Sequence, residues 1–313
     1  MSEVLQLGVA LIIVGLGVFA VLSRETFASI IGFIAYGLFL MLAWMQLEAP
    51  DVALTEAAIG GGLTGAMLIG AARRLRGSEA ASRARGTGAA MRAAVALLCT
   101  IVTVALGWSV LTLPEPAPSL APQVFEAMPA LGVGNPVTAV LLGFRSLDTL
   151  LEAIVLVLAL LGIWSLAPNE AWGGRLGLRQ HARGDGMLAY AARVLPPIGI
   201  VIAMVIFWIG ADLPGGKFQG ATLLAAMWLL VWMAGLADAP PVSRKVVRWL
   251  LVGGPLAFIA IGVAGAYTAG AFLAYPGDFA KPLIIAIEIA LMPTLTLMLA
   301  LVLIGPPLRA PET

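Results

Sequence analysis

The chain has 313 residues, of which 61% are hydrophobic and 11% are charged, and its formal net charge is +1. Soluble domains carry about 25% charged residues and under about 50% apolar ones. The composition therefore excludes a soluble enzyme domain, a disordered chain and a nucleic-acid binder. A single cysteine, Cys99, and a single histidine, His181, give no disulfide framework, and they predict no metal centre and no cofactor. The apolar stretch from Val4 lacks a basic flank and a cleavage site, which predicts a retained helix.

Apolar runs of about 18 residues or more, the length of a membrane-spanning helix, recur along the chain. Eight are clear, and a ninth over 137–167 carries three charges. At about 1.5 Å per residue the ninth would be roughly 46 Å long, against about 30 Å of hydrocarbon, so it must tilt, bend or begin in the headgroup layer. The sequence predicts an all-α integral membrane protein with about nine transmembrane helices. The predicted spans are 4–22, 26–47, 51–72, 93–113, 137–167, 194–211, 219–237, 249–273 and 282–305.

Basic residues are concentrated in alternate loops. Of 18 lysines and arginines, 15 fall on one side of the predicted spans, including most of those in the 73–92 loop. Lys217 and Lys281 lie on the other side, and Arg145 is intramembrane. The positive-inside rule then predicts an outside N-terminus, an inside C-terminus and a multi-pass protein of the plasma (inner) membrane. The 73–92 segment is predicted to be a flexible cytoplasmic connector.

Two polar stretches divide the chain. Residues 114–135 form a proline-rich outer segment, and residues 168–193 form a basic one. They predict three membrane modules, at 1–92, 93–167 and 187–305. No internal repeat is evident.

Ionisable groups inside a span are costly and mark ion or proton pathways. Arg145, Asp148 and Glu152 are separated by steps of three and seven residues, which places them within about 60° of one helix face. Arg145 can pair with Asp148, and this leaves Glu152 about one turn deeper without a local partner. The alternative is a structural arginine–aspartate pair that holds two helices together.

A second acidic group surrounds the start of the third span. Glu48 and Asp51 flank a proline near the outer interface, where hydrated caps are the simpler interpretation. Glu56 lies about one turn further in and is harder to explain as a cap. The glycines at 60–62 permit either close helix packing or a π-bulge that redirects Glu56. Asn135, before a proline, is predicted to cap the fifth span.

Two further candidates lie in the C-terminal region. Asp212 and Lys217 flank a Pro-Gly-Gly turn and could pair across it; a generic tight turn is the alternative. Glu288 lies about six residues into the last span, and Pro293 frees the carbonyl of Ile289 beside it. A carboxylate beside a freed carbonyl could hold a cation or proton, or could pair with a neighbouring helix.

Three successive blocks resemble one known family. Residues 35–71 resemble the D-type membrane domain of energy-converting hydrogenases, which also occurs near the end of the large subunit of Mrp-type Na+/H+ antiporters. Residues 137–166 resemble the companion E-type domain, whose hallmark is an arginine, an aspartate and a glutamate on one helix. Residues 213–228 and the final helix with Glu288 are similar to the B-type subunit of these antiporters.

The resemblance implies a membrane subunit of a multi-subunit monovalent cation/proton (Na+/H+) antiporter, a transporter subunit and not an enzyme. Its partners would be an antiporter-like large subunit, small membrane subunits, lipids and the transported Na+ and H+. The implied hydrophilic pathway comprises Asp51, Glu56, Arg145, Asp148 and Glu152, with Glu288 added from the residue pattern. Because the antiporter-like helical block is absent, this chain alone should not be a complete transporter.

The chain departs from the pattern of the B-type subunit. Ala211 replaces the usual histidine, Asp212 an asparagine, Lys217 a glycine and Glu288 an aspartate. The exchanged cation therefore stays open. Three alternatives also stay open: a proton- or sodium-pumping module of a redox-driven complex, a scaffold subunit whose buried charges fix helix register, and a subunit of an inorganic-carbon or other non-sodium uptake complex.

Overall fold

The computed structural model describes residues 3–84, 88–181 and 184–311. Among these, eight helices are long and apolar enough to cross a membrane, and a shorter apolar helix has 17 residues. Each predicted span coincides with one of these helical segments, and the predicted helical membrane fold is confirmed. The exact number of crossings and their orientation stay predictions.

The N-terminal group of helices forms a hairpin followed by an interrupted span. Helices α1 (Glu3–Leu22) and α2 (Thr26–Gln46) pack against each other. The third span consists of α3 (Pro50–Thr55), a π-helix (Glu56–Leu63) and α4 (Thr64–Ala84). The predicted connector over 73–92 is therefore wrong as far as residue 84, because α4 continues as a helix beyond its apolar part. Arg85 of that segment, like Arg183 of the other basic loop, lies outside the described residues.

The π-helix forms where glycines remove the side chains that would otherwise crowd it. A Cβ atom on Gly37 of α2 would lie 2.9 Å from the backbone nitrogen of Gly61, so α2 and the π-helix approach at backbone distance. Both predicted roles of the glycines at 60–62, close packing and a π-bulge, therefore occur together.

The middle of the chain contains one isolated helix and one bent span. Helix α5 buries none of its residues within the described chain. The elements are α5 (Ala89–Leu111), α6 (Ala121–Ala127), a 3-10 helix (Met128–Ala130), α7 (Pro136–Thr138), a π-helix (Ala139–Phe144) and α8 (Ser146–Trp164).

The bend resolves the excess length of the fifth predicted span. The backbone of Arg145 leaves the helical region, with φ −130° and ψ 37°. Its amide donates to the carbonyl of Val140 at 2.8 Å, so the carbonyl of Leu141 loses its usual helical donor. The hydroxyl of Thr149 replaces that donor at 2.6 Å. Of the three predicted ways to fit this segment, bending is the one observed.

Four helices form the C-terminal region: α9 (Met187–Ile209), α10 (Lys217–Met233), α11 (Lys245–Thr268) and α12 (Ala280–Ile304). Short 3-10 helices occur at Asn169–Ala171 and Gly277–Phe279. An antiparallel strand pair, β1 (Arg175–Leu176) with β2 (Pro307–Arg309), joins two loops. The sequence analysis does not predict these strands, since two or three residues carry no measurable periodicity.

Helix α12 forms the centre of the molecule. It packs against α8, α10 and α11, and it buries residues on every side, among them Ile284, Ile287, Leu291 and Met298. A helix that is apolar all round is the kind that neighbours enclose. A charged residue on α12 therefore lies at the centre of the bundle.

The loops gather at two ends. One end, which we call the turn end, contains residues 48–51, 131–137, 210–217 and 275–281. The other, which we call the strand end, contains residues 171–177, 238–244 and 305–309. This grouping is the one that the alternating topology requires.

Candidate functional site

A cavity of about 250 Å³ lies at the turn end and is lined by four ionisable side chains. They are Asp51 of α3, Glu152 of α8, Lys217 of α10 and Glu288 of α12. Each is a residue singled out from the sequence, and they come from segments far apart along the chain. Since a water molecule occupies about 30 Å³ of liquid, the cavity has room for several waters or one hydrated cation.

Glu288 and Lys217 form the buried side of the cavity, with exposed fractions of 3% and 8%. The backbone amide of Lys217 donates to the Glu288 carboxylate. The Lys217 ammonium interacts through space with the carboxylates of Glu288 and Glu152. Within the described residues, no carboxylate oxygen lies within 4 Å of that ammonium. The lysine therefore shares its charge with the cavity and forms no direct ion pair.

The glycine turn before α10 sets the position of Lys217. Gly215 and Gly216 have φ angles of 148° and 126°, in the region that favours glycine. The amide of Gly216 donates to the carbonyl of Ile206 at 2.9 Å, which folds the turn back onto α9. Helix α10 therefore begins at the cavity, where its first amides favour a carboxylate such as Glu288.

Asp51 connects three segments of the turn end. Its carboxylate accepts a hydrogen bond from the amide of Gly215 at 2.9 Å and one from the side chain of Asn135 at 3.4 Å. The Asn135 side chain also donates to Leu213 at 2.9 Å, and it caps α7 by accepting from Val137 at 2.8 Å. The predicted cap at Asn135 is confirmed. The interpretation of Asp51 as a hydrated cap is wrong, because Asp51 is only 8% exposed.

The charges on and before α8 do not all reach the cavity. Arg145 and Asp148 form the predicted ion pair at 2.5 Å, and their side chains are 70% and 52% exposed. Neither lines the cavity, whereas Glu152, one turn further along, does. Glu152 is also exposed on its other side. The shared pathway of these three residues stays a prediction.

Glu56 lies outside the cavity lining. It is half-buried in the first turn of the π-helix, and its carboxylate lies over Gly60, where a Cβ atom would collide with it. Glu48 is exposed in the turn before α3. A pathway role for Glu56 stays a prediction.

Asp212 has a different partner from the one predicted. Its carboxylate accepts from Lys281 at 2.7 and 2.8 Å, and the amide of Gly134 donates to it at 3.0 Å. A pairing of Asp212 with Lys217 across the turn is therefore wrong, because the turn directs Lys217 into the cavity. The hydrogen bond from Lys281 holds the pKa of Asp212 below its usual range.

Three polar residues complete the site without having been predicted. Gln219 donates from its side chain to the hydroxyl of Thr55 at 3.1 Å, which links α10 to α3. The hydroxyl of Thr138 donates to the carbonyl of Gly210 at 2.6 Å. Thr55 lies four residues after Asp51, a helical spacing that could have identified it.

The strand end pairs its charges directly. Arg309 donates to both oxygens of Asp238 at 2.7 Å, and Arg175 lies 3.6 Å from the same carboxylate. The hydrogen bonds from Arg309 lower the pKa of Asp238. This cluster fastens the segment after α12 to the loop between α10 and α11.

Two families match separate parts of the chain. The MbhD family, which describes the D component of the MBH complex, matches residues 11–77. A domain described as related to the MnhB subunit of Na+/H+ antiporter matches residues 187–306. These matches confirm the resemblance of the first and third blocks, while the module boundaries at 92 and 167 stay predictions.

Curated relatives match about half of the chain. An uncharacterised protein of Methanocaldococcus jannaschii is 25% identical over 156 residues, which cover 45% of this chain and 60% of that protein. The putative antiporter subunit mnhA2 of Staphylococcus epidermidis is 30% identical over 160 residues, which cover 51% of this chain and 19% of that protein. The chain thus spans less than two thirds of either relative.

Two solved structures share the fold. The Mrp complex from Dietzia sp. DQ12-45-1b matches 97% of this chain and 35% of its own, with a TM-score of 0.72 at 21% identity. The membrane-bound sulfane sulfur reductase, an archaeal respiratory membrane complex, matches 68% of this chain and 98% of its own, with a TM-score of 0.53 at 23% identity. The chain is a multi-pass membrane protein that carries a segment similar to MbhD followed by a domain related to the MnhB subunit of Na+/H+ antiporters.

Proposed function

We propose that this chain is a membrane subunit of a multi-subunit monovalent cation/proton antiporter of the Mrp type, located in the plasma membrane. The cavity at the turn end would be a section of its ion or proton pathway, with Asp51, Glu152 and Glu288 as the participating carboxylates. The antiporter-related matches to residues 187–306 and to mnhA2 support the assignment.

One observation carries the proposal: carboxylates from three separate segments converge on one cavity in a chain that spans the membrane. Ionisable residues in such surroundings are expensive, and they persist where protons or ions move. Glu288 is buried at the centre of the bundle, while Glu152 lines the cavity and is exposed on its other side. A proton on Glu288 could therefore pass through the cavity to Glu152 and leave the chain there.

The exposed charges before and on α8 indicate where it would leave. Arg145 lies about nine residues inside its span, roughly 13 Å from Pro136 at about 1.5 Å per residue. Exposed charges at that depth are costly against lipid. We therefore expect this face of α8 to contact a second membrane subunit, such as an antiporter-like large subunit, and Glu152 to exchange protons with it.

The first prediction tests the cavity carboxylates in everted vesicles that contain the whole complex. Glu288→Gln or Glu152→Gln should lower the initial rate of Na+-driven ΔpH relaxation at least about 100-fold, because an amide cannot relay a proton. Glu126→Gln, which changes an exposed carboxylate on α6, is the matched control and should leave the rate unchanged. Near-normal exchange by both cavity variants, in complexes of normal composition, would exclude the cavity from the pathway.

A redox-driven pump is the second candidate, and the match to MbhD over residues 11–77 favours it. The same carboxylates would then move protons in response to electron transfer in partner subunits. The subunits that co-purify with the chain distinguish the two functions. Iron–sulfur or flavin subunits would support the redox-driven pump, and their replacement by antiporter-like membrane subunits would support the exchanger.

A further inference from the structure

The charge balance of the cavity depends on one residue. Three carboxylates line it, on α3, α8 and α12, and Lys217 is the basic residue among the described side chains that line it. A cavity with three carboxylates and room for a hydrated ion would attract a monovalent cation strongly, since opposite charges at a few ångströms interact far more strongly there than in water.

Lys217 already supplies that positive charge. Its ammonium acts on Glu288 and on Glu152 without an ion pair of 4 Å or less to either, so it lies among the carboxylates and is not committed to one of them. Asp51, the third carboxylate, is held by neutral donors from Gly215 and Asn135. The lysine thus has the position of a counter-ion shared by the cavity.

The fold keeps this charge in place. Lys217 is the first residue of α10, and the turn before it is fastened to α9 through Gly216 and to α3 through Gly215. With 8% of its surface exposed, the side chain has no route into solvent that leaves the turn intact. The amides at the start of α10 add further positive potential at the same point.

We infer that Lys217 is a tethered counter-ion that excludes free Na+ from this cavity and reserves the cavity for proton transfer between Glu288 and Glu152. The inference rests on the proposed function, and it assigns this subunit the proton side of the exchange. The metal cation would then cross elsewhere in the complex. Lys217 acts here as a specificity-determining residue.

Equilibrium binding of radioactive 22Na+ to the purified complex tests this inference. The wild-type complex should show no saturable Na+ site that Glu288→Gln removes. Lys217→Met, which keeps the length of the side chain but removes its charge, should create such a site, with Na+ affinity at least about tenfold above the wild type. The double variant Lys217→Met/Glu288→Gln should lose it again.

Two control variants separate charge from side-chain position. Lys217→Arg keeps the charge and should gain no Na+ site. Lys281→Met removes a lysine at the same end of the molecule that pairs with Asp212 outside the cavity, and it should also gain none. Lys217→Gln serves as a second neutral variant if Lys217→Met does not assemble.

Two outcomes would overturn the inference: saturable Na+ binding by the wild type that Glu288→Gln abolishes, or no gained binding in an assembled neutral variant of Lys217. The wild-type arm decides even if no neutral variant assembles. Vesicle exchange by the wild-type complex tests the proposed function separately. An active exchanger whose neutral Lys217 variants bind no Na+ would refute the tethered counter-ion alone.

Discussion

The turn end and the strand end of the molecule treat their charges in opposite ways. At the strand end, Asp238 is clamped by both nitrogens of Arg309 at 2.7 Å and approached by Arg175, so every charge in the cluster has a direct partner. At the turn end, Lys217 and Glu288 are more deeply buried, yet they are not in direct ion-pair contact. The better-buried charges are thus the less firmly paired.

This difference separates fastening from function. A bidentate ion pair holds two segments together and leaves neither group free to change its charge state. Carboxylates grouped around a cavity cost stability, but they can accept and release protons or ions. We therefore expect substitutions at the strand end to affect stability alone and substitutions around the cavity to affect transport.

Asp51→Asn should give the largest effect on both properties, because Asp51 belongs to both categories. It would lose the negative charge that accepts from Gly215 and Asn135. Hydrogen bonds to charged groups contribute about 1.5–3 kcal/mol, so we expect the free energy of unfolding to fall by about 2 kcal/mol, together with slower exchange. Chemical denaturation in detergent measures the first and vesicle assays the second. Glu48→Gln, at an exposed carboxylate nearby, is the control, and equal effects of both changes would contradict this role of Asp51.

Arg309→Ala should destabilise the protein by about 1 kcal/mol, because the pair with Asp238 is partly exposed. Exchange per assembled complex should stay unchanged. The lowered pKa of Asp238 adds a pH dependence: the pair stabilises the fold above the ordinary carboxyl pKa of 3.8, and this contribution disappears as the pH falls through the lowered pKa.

Denaturation curves of wild type and Arg309→Ala should therefore converge in acid. Arg244→Ala, at an exposed arginine of the same end, is the control for lost positive charge. A loss of exchange in correctly assembled Arg309→Ala would break the contrast between the two ends.

Lys281→Met should give the smallest effect. It removes the partner of Asp212, but the two side chains are 35% and 54% exposed, and such pairs contribute about 0.2–1 kcal/mol. The pKa of Asp212 should rise towards its usual value, which a titration of stability between neutral and acid pH would detect as a smaller loss on acidification. A change above about 1 kcal/mol would show that the pair belongs with the strand-end fastenings.

Local features of this fold are accessible from the sequence. Pro50 and Pro136 begin helices, Asn135 caps one, and the glycines at 60–62 permit a π-helix. Each depends on contacts within a few residues of chain. The errors concern longer range: α4 continues beyond its apolar part, a strand pair joins two loops, and Asp212 finds a partner 69 residues away in Lys281.

The hydropathy of the sequence determines the helices and the membrane as their solvent, because a backbone without water must satisfy its own hydrogen bonds. It also restricts the search to the charges that such a solvent penalises. The tertiary structure alone decides which of these charges meet. In a bilayer, apolar helix faces are nearly equivalent, and neighbours are selected by backbone approach at small residues and by specific hydrogen bonds. The turn at Gly215 and Gly216 and the bend at Arg145 are such features, and they bring Lys217, Glu152 and Glu288 to one cavity.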